Sequence, residues 1–236
     1  NYQDLFEKPD DWVRARAGTH GFGMFIGKVV AATSEELTAR VQFLDANGID
    51  IAIEAGGTLA QGDADCGGNN NGDNNGEQSA AIELLRIQHL IDAGGTLTYL
   101  TLDGPISRVK ANGRSGNCGF TLEKSVAELM DYIRAVYAVL PDVKIGVLTN
   151  FPNWAYDTYP AYHGTVINHG DYKVVLEAIL AASVAQDLPI HYVIVDNPWG
   201  YASGTHTSAD PPTTEVEWLQ RILDLETQVK SHGLPF

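Results

Sequence analysis

Hydrophobic and polar positions along this chain alternate between two periods in a fixed order. Strand-length apolar runs occupy 49–54, 97–103, 144–150 and 191–196, and each closes on an acidic or amide residue: Glu54, Asp103, Asn150 and Asp196. Those ends lie 46 to 49 residues apart. Between the runs the apolar positions take helical spacing, as with Leu37, Val41 and Leu44 behind the N-cap candidates Thr33 and Ser34. The spacing predicts further helices over 78–93, 121–140, 172–186 and 213–231, with Thr121 capping the second and Gly94-Gly95 ending the first. Strands alternating with helices predict a parallel sheet joined by right-handed crossovers. The C-terminal ends of such strands share one edge, so four residues far apart in sequence should meet there.

Two weaker elements precede these. In the segment 4–16, Pro9-Asp10-Asp11 ahead of Trp12-Val13-Arg14-Ala15-Arg16 predicts a helix start, and the apolar run 22–30 reads as a strand despite its glycines. That makes five strands, too few to close a barrel of eight. Residues 1–236 are therefore expected to form a single domain, a (β/α)8 TIM-like barrel that is incomplete in this chain. An N-terminal strand and the C-terminal βα units would be missing from it. The segment His232-Gly233-Leu234-Pro235-Phe236 resembles Gln186-Asp187-Leu188-Pro189-Ile190, which leads into a strand. The alternative is an open doubly wound parallel sheet. Four long loops on one edge favour the barrel, because a doubly wound sheet concentrates its site at one switch point. No Gly-x-Gly-x-x-Gly or Gly-x-x-x-x-Gly-Lys-Ser/Thr element follows any of the strands.

Charge narrows the partners. With 30 acidic against 15 basic residues the formal charge is -15, which argues against nucleic acid and anionic membrane surfaces. No apolar run approaches the roughly 20 residues of a membrane span. Cys66 and Cys118 are the two cysteines, each in a Gly/Asn-rich loop after neighbouring strands. A disulfide between them would close about 50 residues and contribute about 4 kcal/mol by loop entropy. It implies an oxidising compartment, and so a secreted or periplasmic protein.

The candidate chemistry sits at the strand ends. Carboxylates closing apolar strands are costly unless solvated, paired or bound. Three of them on one rim, Glu54, Asp103 and Asp196, read as catalytic residues of a cleft. Neighbouring strands lie about 4.8 Å apart, so Glu54 and Asp103 meet the spacing required of a paired acid and base in glycosidic hydrolysis. The loops beyond them carry Trp154, Tyr156, Trp199 and Tyr201, aromatic faces on which sugar rings stack, with Asn150 and Asn197 as hydrogen-bonding partners. A separate stretch dense in oxygen ligands holds Asp63, Asp65, Asn71, Asp73 and Asn75, a candidate calcium site. Its Asn71-x-Asp73-x-Asn75-Gly76 core copies half of an EF-hand loop, but Ile82 stands where the closing glutamate belongs and Glu83 misses by one. No cofactor is otherwise required.

Glu54, Asp103 with Gly104-Pro105, the Asn150 loop with Trp154, and the Asp196-Asn197-Pro198-Trp199 turn together resemble secreted TIM-barrel glycoside hydrolases. The resemblance is architectural, covers most of the chain and rests on no diagnostic motif. The Asn-Glu pair that closes a strand in the largest retaining clan is missing here, so only the general expectation carries over: rim carboxylates acting as acid and base on a polysaccharide or oligosaccharide. Two alternatives stand beside it. A polysaccharide lyase would use Tyr or His with Arg108, Lys110 or Arg114, and a carbohydrate-binding or assembly protein would need the aromatics without the carboxylates.

Overall fold

The computed structural model describes residues 3–58, 75–110, 118–161, 169–203, 205 and 216–236. Its strands are β1 (Gly21–Phe25), β2 (Asp50–Ala55), β3 (Leu97–Asp103), β4 (Lys144–Asn150) and β5 (Tyr192–Asp196). The helices are α1 (Asp4–Glu7), α2 (Val13–Ala17), α3 (Ile26–Ala31), α4 (Ser34–Ala46), α5 (Asn75–Asp92), α6 (Leu122–Val139), α7 (Tyr172–Gln186), α8 (Trp199–Ala202) and α9 (Trp218–Ser231). Two expectations are corrected. A helical segment does start at Pro9, but its first turn over Pro9–Trp12 is 3-10 before α2, and the short α1 precedes it. The apolar run 22–30 is a strand only to Phe25, after which Ile26 and Val29 turn inward on a helix of their own.

The strands form one sheet in the order β1-β2-β3-β4-β5, every neighbouring pair parallel. This order never reverses, so the sheet has no switch point of the doubly wound kind. Right-handed crossovers that always advance in one direction lay their helices on the same side. The core follows: Ile51, Ile53, Leu100, Leu102, Ile145, Val147 and Val193 pack with Leu37, Leu90, Leu129, Ile133, Leu176, Ile179 and Leu225 in one apolar cluster. Caps fix where the helices begin. Thr33 and Glu36 close a capping box on α4, Thr121 accepts the Lys124 N–H at the start of α6, and Asp171 accepts that of Lys173 in α7.

The other face of the curled sheet is open. A concavity of about 600 Å³ lies over it, lined by Gly21, Gly23, Ala52, Tyr99, Thr101, Tyr192 and Ile194, with Lys144 and His191 at its lower margin. Small residues make this room, and Tyr192 uses part of it. A Cβ on Gly146 would stand 2.0 Å from the Tyr192 ring, so the ring lies flat across the glycine. Its hydroxyl reaches Thr101 Oγ1 at 2.9 Å, and the ring meets Tyr99 edge-on with centroids 6.0 Å apart.

Gly146→Ala therefore forces the tyrosine off the sheet, and we expect a loss of about 1–3 kcal/mol in urea unfolding, the usual range for overpacking. Adding Tyr192→Leu should recover most of that loss in a double-mutant cycle. Two independent, additive losses would contradict the packing described.

Candidate active site

Pleating decides which strand-end side chains face one another. Phe25, Glu54 and Thr101 are level across β1, β2 and β3; Asp103 is level with Leu148; Asn150 is level with Asp196. Thr101 pairs with Gly146 and Gly146 with Tyr192, so the alternation carries Glu54, Asp103, Asn150 and Asp196 onto the open face, opposite the helices. The four residues predicted to converge do so, rising in steps from β2 to β5.

The charges act on one another. The Glu54 carboxyl is held above its ordinary value, first by burial and then by the charges of Asp103 and Asp196, with Arg108 opposing. Asp196 is raised by burial and by Asp103. Asp103 is differently placed. Arg108, in the turn past the strand, grips it with Nη2 2.5 Å from Oδ2 and donates from Nε to its carbonyl at 2.7 Å. The rim thus combines one ion-paired carboxylate with two whose protons are held more tightly than usual. Asn150 Nδ2 lies 3.5 Å from Asp196 Oδ2, linking the last two strand ends. Arg108's grip on Asp103 is what sequence reasoning misses: nothing in Ser107-Arg108-Val109 marks it until the turn at Gly104, with φ of +59°, folds it back.

The aromatic expectations divide. Trp199 is 80% exposed on α8, just past Asp196, and Tyr201 behind it packs edge-on against Trp218. Trp154 and Tyr156 are corrected: at 1% and 2% exposure they lie beneath the loop after β4 and present no face to a ligand. Trp154 packs on His169 and Tyr172, and Tyr156 donates to Gln228 Oε1 at 2.9 Å. The physical reason is Arg221 of α9, fully buried, which donates to the carbonyls of Trp154 and Pro160 and lies 4.6 Å over the Phe151 ring. Burial lowers its guanidinium to about 10, so it stays charged and pins the loop inward. Asn197 sits at the turn with both amide atoms buried and unpartnered. Of the two tryptophans outside these loops, Trp12 is exposed and Trp218 is buried.

Several expectations fall outside the described residues: Asp63, Asp65, Cys66, Asn71, Asp73 and Arg114. Asn75 opens α5. Glu83 is buried in that helix, accepting from Gly56 N–H and Tyr132 O–H. Among the described residues no group of three or more acidic, histidine or cysteine side chains could hold a metal ion. Cys118 is not a free thiol. No described helix is long and apolar enough to cross a membrane.

The Glu54 shift carries a sign. The folded state binds its proton more tightly than the unfolded chain, so stability is lost as pH rises from the unfolded value through the folded one. Glu54→Gln should accordingly melt higher than the parent protein at about pH 7, and the difference should shrink as pH falls and vanish by about pH 3, where both states are protonated. Melting curves across that range check it; a variant that melts lower at neutral pH would show the carboxylate to be stabilising.

No family model matches the chain, and no curated protein matches it. Among solved structures, the virulence factor SghA from Agrobacterium tumefaciens aligns at a TM-score of 0.36 and 15% identity, over 93% of this chain and 51% of SghA. SghA in complex with its substrate analog salicin gives 0.35 and 14%, over 93% and 50%. A candidate phosphonomutase from Burkholderia cenocepacia J2315 gives 0.31 and 16%, over 73% and 59%. The chain thus spans half to three fifths of the structures it matches. Likenesses at these scores assign neither family nor activity, and the functional reading rests on the rim itself.

Proposed function

We propose that this chain carries the active site of a carbohydrate-active enzyme that hydrolyses glycosidic bonds with paired rim carboxylates. One observation carries the reading: three carboxylates from three strands converge on one open face, and the Glu54 proton is held by burial and by the charges of the other two. Glycosidic hydrolysis needs a carboxyl that still holds a proton and a second that has lost its own. Glu54 is the proton donor to the leaving oxygen. Asp103, kept in place by its ion pair with Arg108, is the partner that attacks the anomeric carbon or activates water. Asp196 and Asn150 bind substrate hydroxyls beside them, and exposed Trp199 offers its face to a sugar ring.

The polysaccharide or oligosaccharide substrate, secretion or residence in the periplasm, and a Cys66–Cys118 bond belong to the same proposal. So does completion of the sheet as a closed barrel by further βα units. Two features support that completion: the open concave face, and the edge of β5, where Val193 already donates its N–H to the Pro235 carbonyl at 3.2 Å. The ion pair with Asp103 engages Arg108, which speaks against a lyase that would need a free base there.

Reducing-sugar release from a panel of neutral and acidic polysaccharides tests the reading, with the full-length protein, Glu54→Gln and Asp103→Asn. We expect both variants to lose at least about 100-fold in kcat, within the range set by removing an acid or base. Unsaturated products would identify a lyase. Binding without turnover in the parent protein, retained in both variants, would identify a carbohydrate-binding protein.

A further inference from the structure

A second carboxylate lies directly behind the first. Glu83, on the inner face of α5, is fully buried, and its two oxygens serve different elements. Oε1 accepts the Gly56 N–H at 2.7 Å, two residues past Glu54. Oε2 accepts the Tyr132 hydroxyl of α6 at 2.5 Å. Burying a carboxylate in an apolar layer is expensive, and a side chain of similar size without charge would pack there at lower cost. A group retained under that penalty holds something in place.

What it holds is the turn that carries Glu54. Beyond Gly56 the backbone enters a left-handed conformation at Gly57, φ +68°, where a Cβ would press on Pro105 at 3.0 Å. Thr58 then donates its hydroxyl to the Pro105 carbonyl, and Ser79 of α5 donates to the Thr58 carbonyl at 2.9 Å. Pro105 lies two residues past Asp103. The loops after β2 and β3 are thereby fastened to each other and, through Glu83 and Ser79, to α5. Gly76 completes the clamp: its N–H donates to Glu128 of α6 at 2.8 Å, and a Cβ there would stand 1.9 Å from the Glu128 carbonyl oxygen.

We propose that Glu83, held by Tyr132, is a positioning residue for Glu54: through the Gly56 N–H it fixes the turn that keeps the Glu54 carboxyl tucked beside Asp103. The inference rests on Glu54 as the rim acid. The charges acting on Glu54 itself are those of Asp103 on β3, Asp196 on β5 and Arg108 after β3. Glu83 is faced by Tyr132 from α6, with Glu128 on the same helix holding Gly76. Glu83 therefore acts through the backbone, and loosening the clamp should let water reach Glu54.

The test needs no substrate. Carbon-detected NMR titration of the Glu54 carboxyl, assigned with Glu54→Gln, is compared in the parent protein, Glu83→Gln and Tyr132→Phe. Tyr132→Phe removes one hydroxyl and leaves every charge, so it carries the test alone if Glu83→Gln does not fold. We expect the Glu54 midpoint to fall in both variants, by about half a pH unit or more in Glu83→Gln and less in Tyr132→Phe. An unmoved midpoint in folded Tyr132→Phe overturns the proposal. If the midpoint falls while no polysaccharide is cleaved, the positioning role stands and the hydrolase reading fails. If polysaccharide is cleaved while the midpoint stays unmoved, the hydrolase reading stands and the positioning role fails.

Discussion

Everything in this molecule follows from crossovers that never change direction. Because β1 to β5 lie side by side in chain order, each right-handed connection places its helix on the same side. One face of the sheet therefore takes the main apolar core, and the other is left to whatever the alternate strand positions carry. Near the strand starts those positions are glycine, alanine and tyrosine, which leave a hollow. Near the strand ends they are Glu54, Asp103, Asn150 and Asp196. The polar rim is the continuation, along the same strands and on the same face, of an apolar floor.

Placing carboxylates there has a cost that the surroundings manage in two ways. Asp103 is offset by a cation, Arg108, delivered by a glycine turn. Among the described residues Glu54 and Asp196 have no cation so close, and burial together with the neighbouring charge raises their hold on the proton. Division of labour between carboxylates of one site arises in this way, from unequal environments acting on similar groups. The helices behind the rim do more than cover the sheet: α5 reaches the loop after β2 through buried hydrogen bonds, α6 holds α5 in turn, and α9 sends Arg221 beneath the loop after β4.

The periodic parts of this design are legible in the sequence and the loop geometry is not. Apolar runs of strand length, separated by amphipathic helices, place four of the five strands within a residue or two of their observed ends, because burial imposes those periods directly. The convergence of Glu54, Asp103 and Asp196 follows from parallel topology alone. The grip of Arg108 on Asp103 is invisible because it depends on a backbone turn, for which composition carries no signal. Trp154 and Tyr156 mislead for a related reason: an aromatic loop reads the same whether its rings face solvent or fold under. The deciding residue, Arg221, lies 67 positions beyond Trp154 on another helix. Glu83 stands out in the sequence only for its spacing from an acidic stretch, while its partners, Gly56 and Tyr132, lie 27 and 49 residues away.

The central claim is that carboxylates from separate strands sense one another across the open face. The most direct measurement is the Glu54 titration midpoint in Asp103→Asn and in Asp196→Asn, set against the parent protein. The account predicts a parent midpoint above the ordinary glutamate value of about 4.3, a fall when Asp103 is neutralised and a smaller fall for Asp196. A parent midpoint at the ordinary value, unmoved by either substitution, would mean that the three residues occupy the same edge without forming a site.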